Sequence, residues 1–255
     1  MRIKTKAILL NSFPTRESDL ILSFFTQKLG KARLLAKGAL RSKKRFLGIL
    51  LHLNELKIEL ELSKSPEFPF RLSQADLLSS HWELAGEPLR FASAYALAEL
   101  CERASPELEP DKELYLLLAS GLEQIQKEKN FPALLFYYLL KIFSHLGYLP
   151  GLEFCVICEA PLPAKKDKYY FSIRRGGLVC SKCAQKEKAL KEFSSPLIPS
   201  LRAMHKLKPE QAKKILVKKS DQILGLELFF QFSSWHLEKP IFSLEVLRSL
   251  LEEKS

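Results

Sequence analysis

Two cysteine pairs constrain this chain more than any other feature. Cys155-Val156-Ile157-Cys158 and Cys180-Ser181-Lys182-Cys183 are C-x₂-C knuckles with twenty-one residues between them. Each knuckle lets two thiolates point at one tetrahedral ion about 2.3 Å away, so the chain between them must fold back. Residues 169–173 and Leu178-Val179, joined by Arg174-Arg175-Gly176-Gly177, predict the hairpin that does this. Zinc, one ion per chain, is the expected metal; iron held in the same way, or an empty degenerate site, are the alternatives. Four protein ligands close the coordination sphere, which predicts a structural role. Arg174, Arg175 and Lys182 lie close enough in sequence to offset the negative charge of four thiolates on a divalent ion. This use of cysteine suits a reducing compartment better than a disulfide framework. The fifth, Cys101, falls alone in a helical pattern and reads as a buried, inert thiol.

Charge is the second constraint. The net charge is +11, unevenly placed: residues 1–47 carry twelve Lys and Arg against two acids, whereas residues 81–150 carry six against ten. Within residues 30–45, Lys31, Arg33, Lys37, Arg41, Lys43, Lys44 and Arg45 meet no acidic residue at all. The first half of this stretch has a strand-like beat with Lys31, Arg33 and Leu35 on one face, then loosens at Gly38 into a basic turn. A ribbon and loop of this kind spaces cations along a phosphate chain, and neutralising phosphates releases condensed counterions. A solvated loop without a partner is the plainer alternative. Arg2, Lys4 and Lys6 extend the predicted groove. Phe13, Phe24, Phe25 and Phe46 could stack on bases, but phenylalanine in such strands is more often core. Phe46, set amid charge, is the one predicted to stack.

Periodicity divides the chain. Residues 1–80 read as five short strands (4–10, 20–26, 31–36, 56–62 and 68–77), the clearest being Leu56, Ile58, Leu60 and Leu62 alternating with Lys57, Glu59 and Glu61. Five strands with basic loops fit a small OB-like β-barrel. Residues 81–150 read as a helical domain, with helices over 89–103 and 111–127, Asp111 as a plausible N-cap, and an apolar helix over 131–146 at a bundle centre. Residues 151–195 form the Cys₄ module, and helices in 196–255 complete the helical domain. The expected fold is therefore α+β and multidomain.

Several classes find no support. The most apolar stretch, 131–140, falls short of a span of about 20 residues, and the uncharged run 7–10 is too short for a signal segment. A cytoplasmic protein is expected. No phosphate-cradling Gly-rich loop, nucleophile elbow, zinc-protease or deaminase signature occurs, and the five histidines are scattered. No enzyme is expected.

The run of local patterns resembles the bacterial recombination mediator family RecO over nearly the whole chain. The stretches that carry this are Arg16-Glu17-Ser18-Asp19-Leu20, Phe25-Thr26 with Leu29-Gly30-Lys31, Lys37-Gly38 with Arg41, and Gln74-Ala75-Asp76. They continue through Leu146-Gly147-Tyr148-Leu149-Pro150, Cys155-Val156-Ile157-Cys158 and Gly176-Gly177-Leu178-Val179-Cys180. The family commonly has a Gln-Pro step after the basic loop, where this chain has Leu47-Gly48-Ile49-Leu50-Leu51-His52. The resemblance implies an OB barrel, a helical domain and a zinc module. It implies binding of single- and double-stranded DNA, annealing of complementary strands, and work with RecR and single-strand-binding protein to load RecA. The acidic, apolar C-terminal tail of single-strand-binding protein then needs a receptor. Lys213, Lys214, Lys218 and Lys219 beside the apolar stretch 224–237 are the candidate. A zinc-ribbon adaptor without direct DNA binding and a repair nuclease or glycosylase are the alternative classes.

Overall fold

Leu56, Ile58 and Leu60 alternate with polar neighbours, and this alternation becomes strand β4 (Glu55–Leu62), with the three apolar side chains turned into a core. In the computed structural model, which describes every residue except 1, 16, 43, 44, 64–67, 165–167, 194, 195, 254 and 255, β4 belongs to a closed barrel. The other members are β1 (Arg2–Thr15), β2 (Asp19–Thr26), β3 (Gly30–Ala36) and β5 (Phe70–Ser79). Strand order around the barrel is β1-β2-β3-β5-β4, and only the β3–β5 pair is parallel. This is the expected five-stranded OB-like barrel.

One strand exceeds its sequence pattern. Alternation predicts a strand over residues 4–10, but β1 runs on to Thr15, pairing with β4 through its first half and with β2 through its second. The register shifts between Leu9 and Asn11. Such a bulge bends a strand, which lets one strand serve two neighbours and close the ring. Asn11, Ser12 and Pro14 hide this second half from a periodicity reading.

The coordinates divide into two compact units, Met1–Gln126 and Lys127–Ser255. In the first, a 3₁₀ turn (Trp82–Gly86) and helices α1 (Pro88–Ala104) and α2 (Lys112–Lys127) follow the barrel. Asp111 caps α2 as expected, its Oδ1 accepting the Leu114 N–H at 2.9 Å. Cys101 is fully buried in α1, and burial pushes its thiol pKa up, so it is inert.

The second unit is built on α3 (Phe131–His145), apolar nearly all round and buried along most of its length. Gly147, at φ +79°, ends it, with the Tyr148 N–H reaching back to Phe143 O at 2.8 Å. The three-stranded sheet β7-β6-β8, made of β6 (Tyr169–Ser172), β7 (Gly177–Val179) and β8 (Lys191–Phe193), lies with the short α4 (Ser181–Ala184) in the cysteine segment. Four helices follow: α5 (Leu197–Lys206), α6 (Pro209–Ala212), α7 (Lys219–His236) and α8 (Phe242–Glu253). Phe229 of α7 stacks on Phe136 and Phe143 of α3, with ring centroids 6.0 and 5.7 Å apart. No helix among the described residues is long and apolar enough to cross a membrane.

Candidate nucleic-acid interface and metal centre

The basic stretch becomes β3 and the loop after it. Ala32, Leu34 and Ala36 point into the barrel core, which leaves Lys31, Arg33 and Leu35 on the outer face, as the alternation predicts. The loop turns at Gly38, whose φ of +64° suits a residue without Cβ. Its conformation is held from the β1–β2 turn and the first residue of β2: Asp19 Oδ1 accepts the Gly38 N–H at 2.8 Å, and Ser18 O accepts the Leu40 N–H at 3.0 Å. Lys37, Arg41 and Arg45 therefore stand on a loop tied to the barrel.

These cations are not equivalent. Lys31 donates from Nζ to Glu102 O at 2.9 Å, near the C-terminal end of α1, where a cation complements the helix dipole. Glu102 also accepts from Asn11 Nδ2 at 2.8 Å and Ser23 Oγ at 3.0 Å, so the end of α1 is fastened to this part of the barrel's outer face. Arg33 pairs with Glu107 at 3.1 Å, and Arg41 with Glu17 at 3.2 Å. On the other side of β1, Arg2 pairs with Glu59 and Glu61 and Lys4 with Glu59, in cross-strand register with β4. The Glu59 and Glu61 alternation is thus the counter-charge of β1. Lys6, Lys37 and Arg45 have no carboxylate partner among the described residues, and all three are exposed. Lys43 and Lys44 lie outside the described residues. The paired arginines remain more than half exposed, and such pairs are worth only roughly 0.2–1 kcal/mol, within reach of displacement by a phosphate.

Phe46 corrects the sequence reading. It is 4% exposed and belongs to the barrel core, with the Arg45 guanidinium 4.9 Å above its ring. A ring enclosed in this way offers no face to a base. The flanking charges misled because only one neighbour in sequence, not the ring itself, needs to reach water.

In the second unit the hairpin forms as predicted: β6 and β7 pair antiparallel through the turn at 173–176, with Gly176 at φ +73°. His236 Nε2 lies 2.8 Å from Ile173 O beside this turn. The first knuckle is laid on β7 by backbone bonds, Val156 N–H to Leu178 O at 2.9 Å and Leu178 N–H to Gly151 O at 2.7 Å. A Cβ on Gly177 would stand 2.6 Å from Gly151 O, so only glycine permits this approach. Arg202 of α5 braces the segment by donating to Leu152 O at 2.6 Å and Pro163 O at 2.7 Å.

The outcome is four sulfurs, of Cys155, Cys158, Cys180 and Cys183, all within 4.8 Å of one another. A tetrahedron of thiolates about 2.3 Å from a zinc ion has S···S edges of about 3.8 Å. Cys158 and Cys180 stand 3.7 Å apart, so the donor set fits. The thiols are poised unequally. Burial opposes ionisation of Cys155, but the N–H groups of Cys180, Cys158 and Ile157 outweigh it and pull its pKa down to about 6. The Cys183 N–H lowers the pKa of Cys180, whereas contact with Cys158 and Cys180 pushes Cys183 up to about 12. Adjacent sulfurs cannot all ionise unaided; a divalent cation removes that penalty. Arg175, expected to offset thiolate charge, pairs with Glu187 at 3.2 Å.

The carboxy-terminal lysines are dispersed in role. Lys213 pairs with Glu128 at 2.8 Å, Lys214 and Lys218 are exposed, and Leu216 between them is 79% exposed. Helix α7 turns Leu226, Leu228, Phe229 and Phe232 inward and leaves Trp235 55% exposed.

A closed OB-like barrel with a basic loop, joined in one chain to helices and to four clustered cysteines that could hold a metal ion, defines the class: a barrel-and-bundle protein with a basic N-terminal part. Family comparison makes this particular. Residues 1–81 match the model of the recombination protein O N terminal, and residues 86–245 that of the recombination protein O C terminal. The chain belongs to this family. It is similar to the DNA repair protein RecO of Syntrophus aciditrophicus, 29% identical over 96% of this chain and 94% of that protein. The RecO proteins of Caldanaerobacter subterraneus (28% identical, 92% and 93% covered) and of a Thermoanaerobacter species (30%, 72% and 72%) are likewise similar. The expected family is thereby shown, and with it a place in DNA repair.

Proposed function

We propose that the protein is a non-enzymatic recombination mediator. It binds single- and double-stranded DNA through the phosphate backbone and anneals complementary strands. With RecR it helps RecA load onto DNA coated by single-strand-binding protein. The observation that carries this reading is the basic loop after β3, tied to the barrel through Asp19 and bearing Lys37 and Arg45 with no acid partner among the described residues. Two strands repel each other, and a cationic surface that holds one while admitting another lowers that barrier without bond-making chemistry. Contacts to backbone and not to base edges are required, because annealing serves any sequence. Lys37, Arg41, Lys43, Lys44 and Arg45 are the proposed principal phosphate contacts. Arg33, Arg2, Lys4 and Lys6 are secondary, and Lys31 anchors α1.

Annealing of complementary oligonucleotides at rising salt tests this directly. Reversing the charge of Lys43, Lys44 and Arg45 together should flatten the log–log salt slope for single strands by about 2, from roughly 0.7 per phosphate. An unchanged slope would remove the loop from the site. A zinc-ribbon adaptor would instead bind a protein partner at high salt without annealing, and a nuclease or glycosylase would form product.

The cysteine centre is proposed to hold one structural zinc ion, which elemental analysis of the purified protein would establish. For the acidic tail of single-strand-binding protein, the proposed contact is the segment between α6 and α7. Lys214 and Lys218 flank the exposed Leu216 there, with Lys213 and Lys219 adjacent. Tail-peptide affinity unaltered by Lys214→Glu with Lys218→Glu would sink that assignment.

A further inference from the structure

The outer face of the barrel bears a row that runs across four strands. Phe13 of β1 is paired with Ile21 of β2, Ile21 with Leu35 of β3, and Leu35 with Arg71 of β5. Directly paired residues of a sheet point to the same side, and Leu20, Leu22, Leu34 and Leu72, the neighbours of the row along β2, β3 and β5, are in the core. At about 4.8 Å per strand spacing, the row spans roughly 14 Å.

The adjacent row on the same face, Asn11, Ser23 and Arg33, is engaged by Glu102 and Glu107 from the end of α1 and the segment after it. The Phe13 row is the part that this end of the helix leaves open. Phe13 is 54% exposed, and Ile21 and Leu35 are half-buried beside it. At one end stands Arg71, with no carboxylate partner among the described residues; two residues beyond Leu35 begins the basic loop with Lys37.

We infer that this row is a base-stacking surface that makes the barrel selective for single-stranded over duplex DNA, with Phe13 as the stacking residue. The inference rests on the DNA-binding reading above and adds its discriminating element. A single strand is charged along one side and apolar along the other. Its phosphates match Arg71 at one end of the row and Lys37 beside Leu35, and its unpaired bases match Phe13, Ile21 and Leu35. A duplex keeps its bases stacked inside and presents only phosphates, so it can use the cations but not the row. An aromatic face is sequence-tolerant because every base has a π-surface. The polar row next to it, tied to α1, confines the strand to one path.

The test uses the full-length protein with Phe13→Ala, Phe13→Leu and Phe13→Trp, each titrated with single-stranded and duplex oligonucleotides across salt. Phe13→Ala should lower single-strand affinity by about 5- to 150-fold, the range expected for one lost base–aromatic stack. The salt slope and duplex affinity should stay unchanged. Phe13→Trp should restore affinity, and its added fluorescence, relative to the wild-type background from Trp82 and Trp235, should be quenched by a single strand. Equal losses on both DNA forms, single-strand binding by Phe13→Ala at wild-type strength, or Phe13→Leu matching phenylalanine would each overturn the stacking role while leaving backbone binding in place. Failure of the wild-type protein to bind either DNA form would instead overturn the reading on which the row depends.

Discussion

The strands of the barrel run seven to fourteen residues and close on themselves, whereas those of the cysteine module run three or four. The barrel has no free edge and a continuous apolar core, so its order is distributed over many contacts. The module has a small sheet, two knuckles and a buried arginine brace, and its four sulfurs concentrate what order it has at one point. The two regions therefore tolerate change in different places. A distributed core lets the barrel carry a dense cationic loop on its surface. A concentrated centre makes the module's order depend on the ion proposed to sit there.

The largest effect should come from breaking that centre. Cys155→Ser with Cys180→Ser, or a strong chelator, would remove the proposed ion, whose analogues in small zinc peptides are worth about 10–16 kcal/mol. The expected outcome is rapid proteolysis within residues 151–193 and loss of metal, while residues 1–80 stay protected. Equal protease sensitivity in both regions would show that the two are not independently ordered.

Next in size is the inside of the barrel against its outside. Phe46→Ala should cost about 3–5 kcal/mol of stability, as for other buried phenylalanines, and lower the melting temperature of the first unit. Phe13→Ala, on the open row, should change stability by no more than about 0.5 kcal/mol. Thermal melts of the two variants side by side sharpen the contrast; similar shifts would contradict the placement of both rings.

A smaller change is expected where β3 meets the segment after α1. Gly30 has φ +65°, and a Cβ there would stand 1.8 Å from Glu109 O. Gly30→Ala should therefore cost about 1–3 kcal/mol and loosen the Leu108 N–H to Lys31 O bond. Faster amide exchange at Leu108 with the barrel strands still protected is the expected sign.

Much of this was legible in the residues. The half-buried alternation of β4, the Asp111 cap, the glycine stop after α3 and the two knuckles are all local signals, decided within a few residues. The second half of β1 was not legible, because a bulge interrupts its alternation. The separation of the cations into paired and unpaired sets was hidden for another reason: Arg33, Arg41 and Lys4 meet acids 74, 24 and 55 positions away in sequence.

Residue patterns alone specify a five-stranded barrel, a helical bundle and a four-cysteine centre, since period, turn chemistry and ligand spacing act at short range. Which phenylalanine is enclosed and which is presented, and which cations already have a carboxylate beside them, emerges only in the folded chain. Those outcomes depend on strand register and on where the end of α1 lands, and both are set by contacts between residues far apart in the chain.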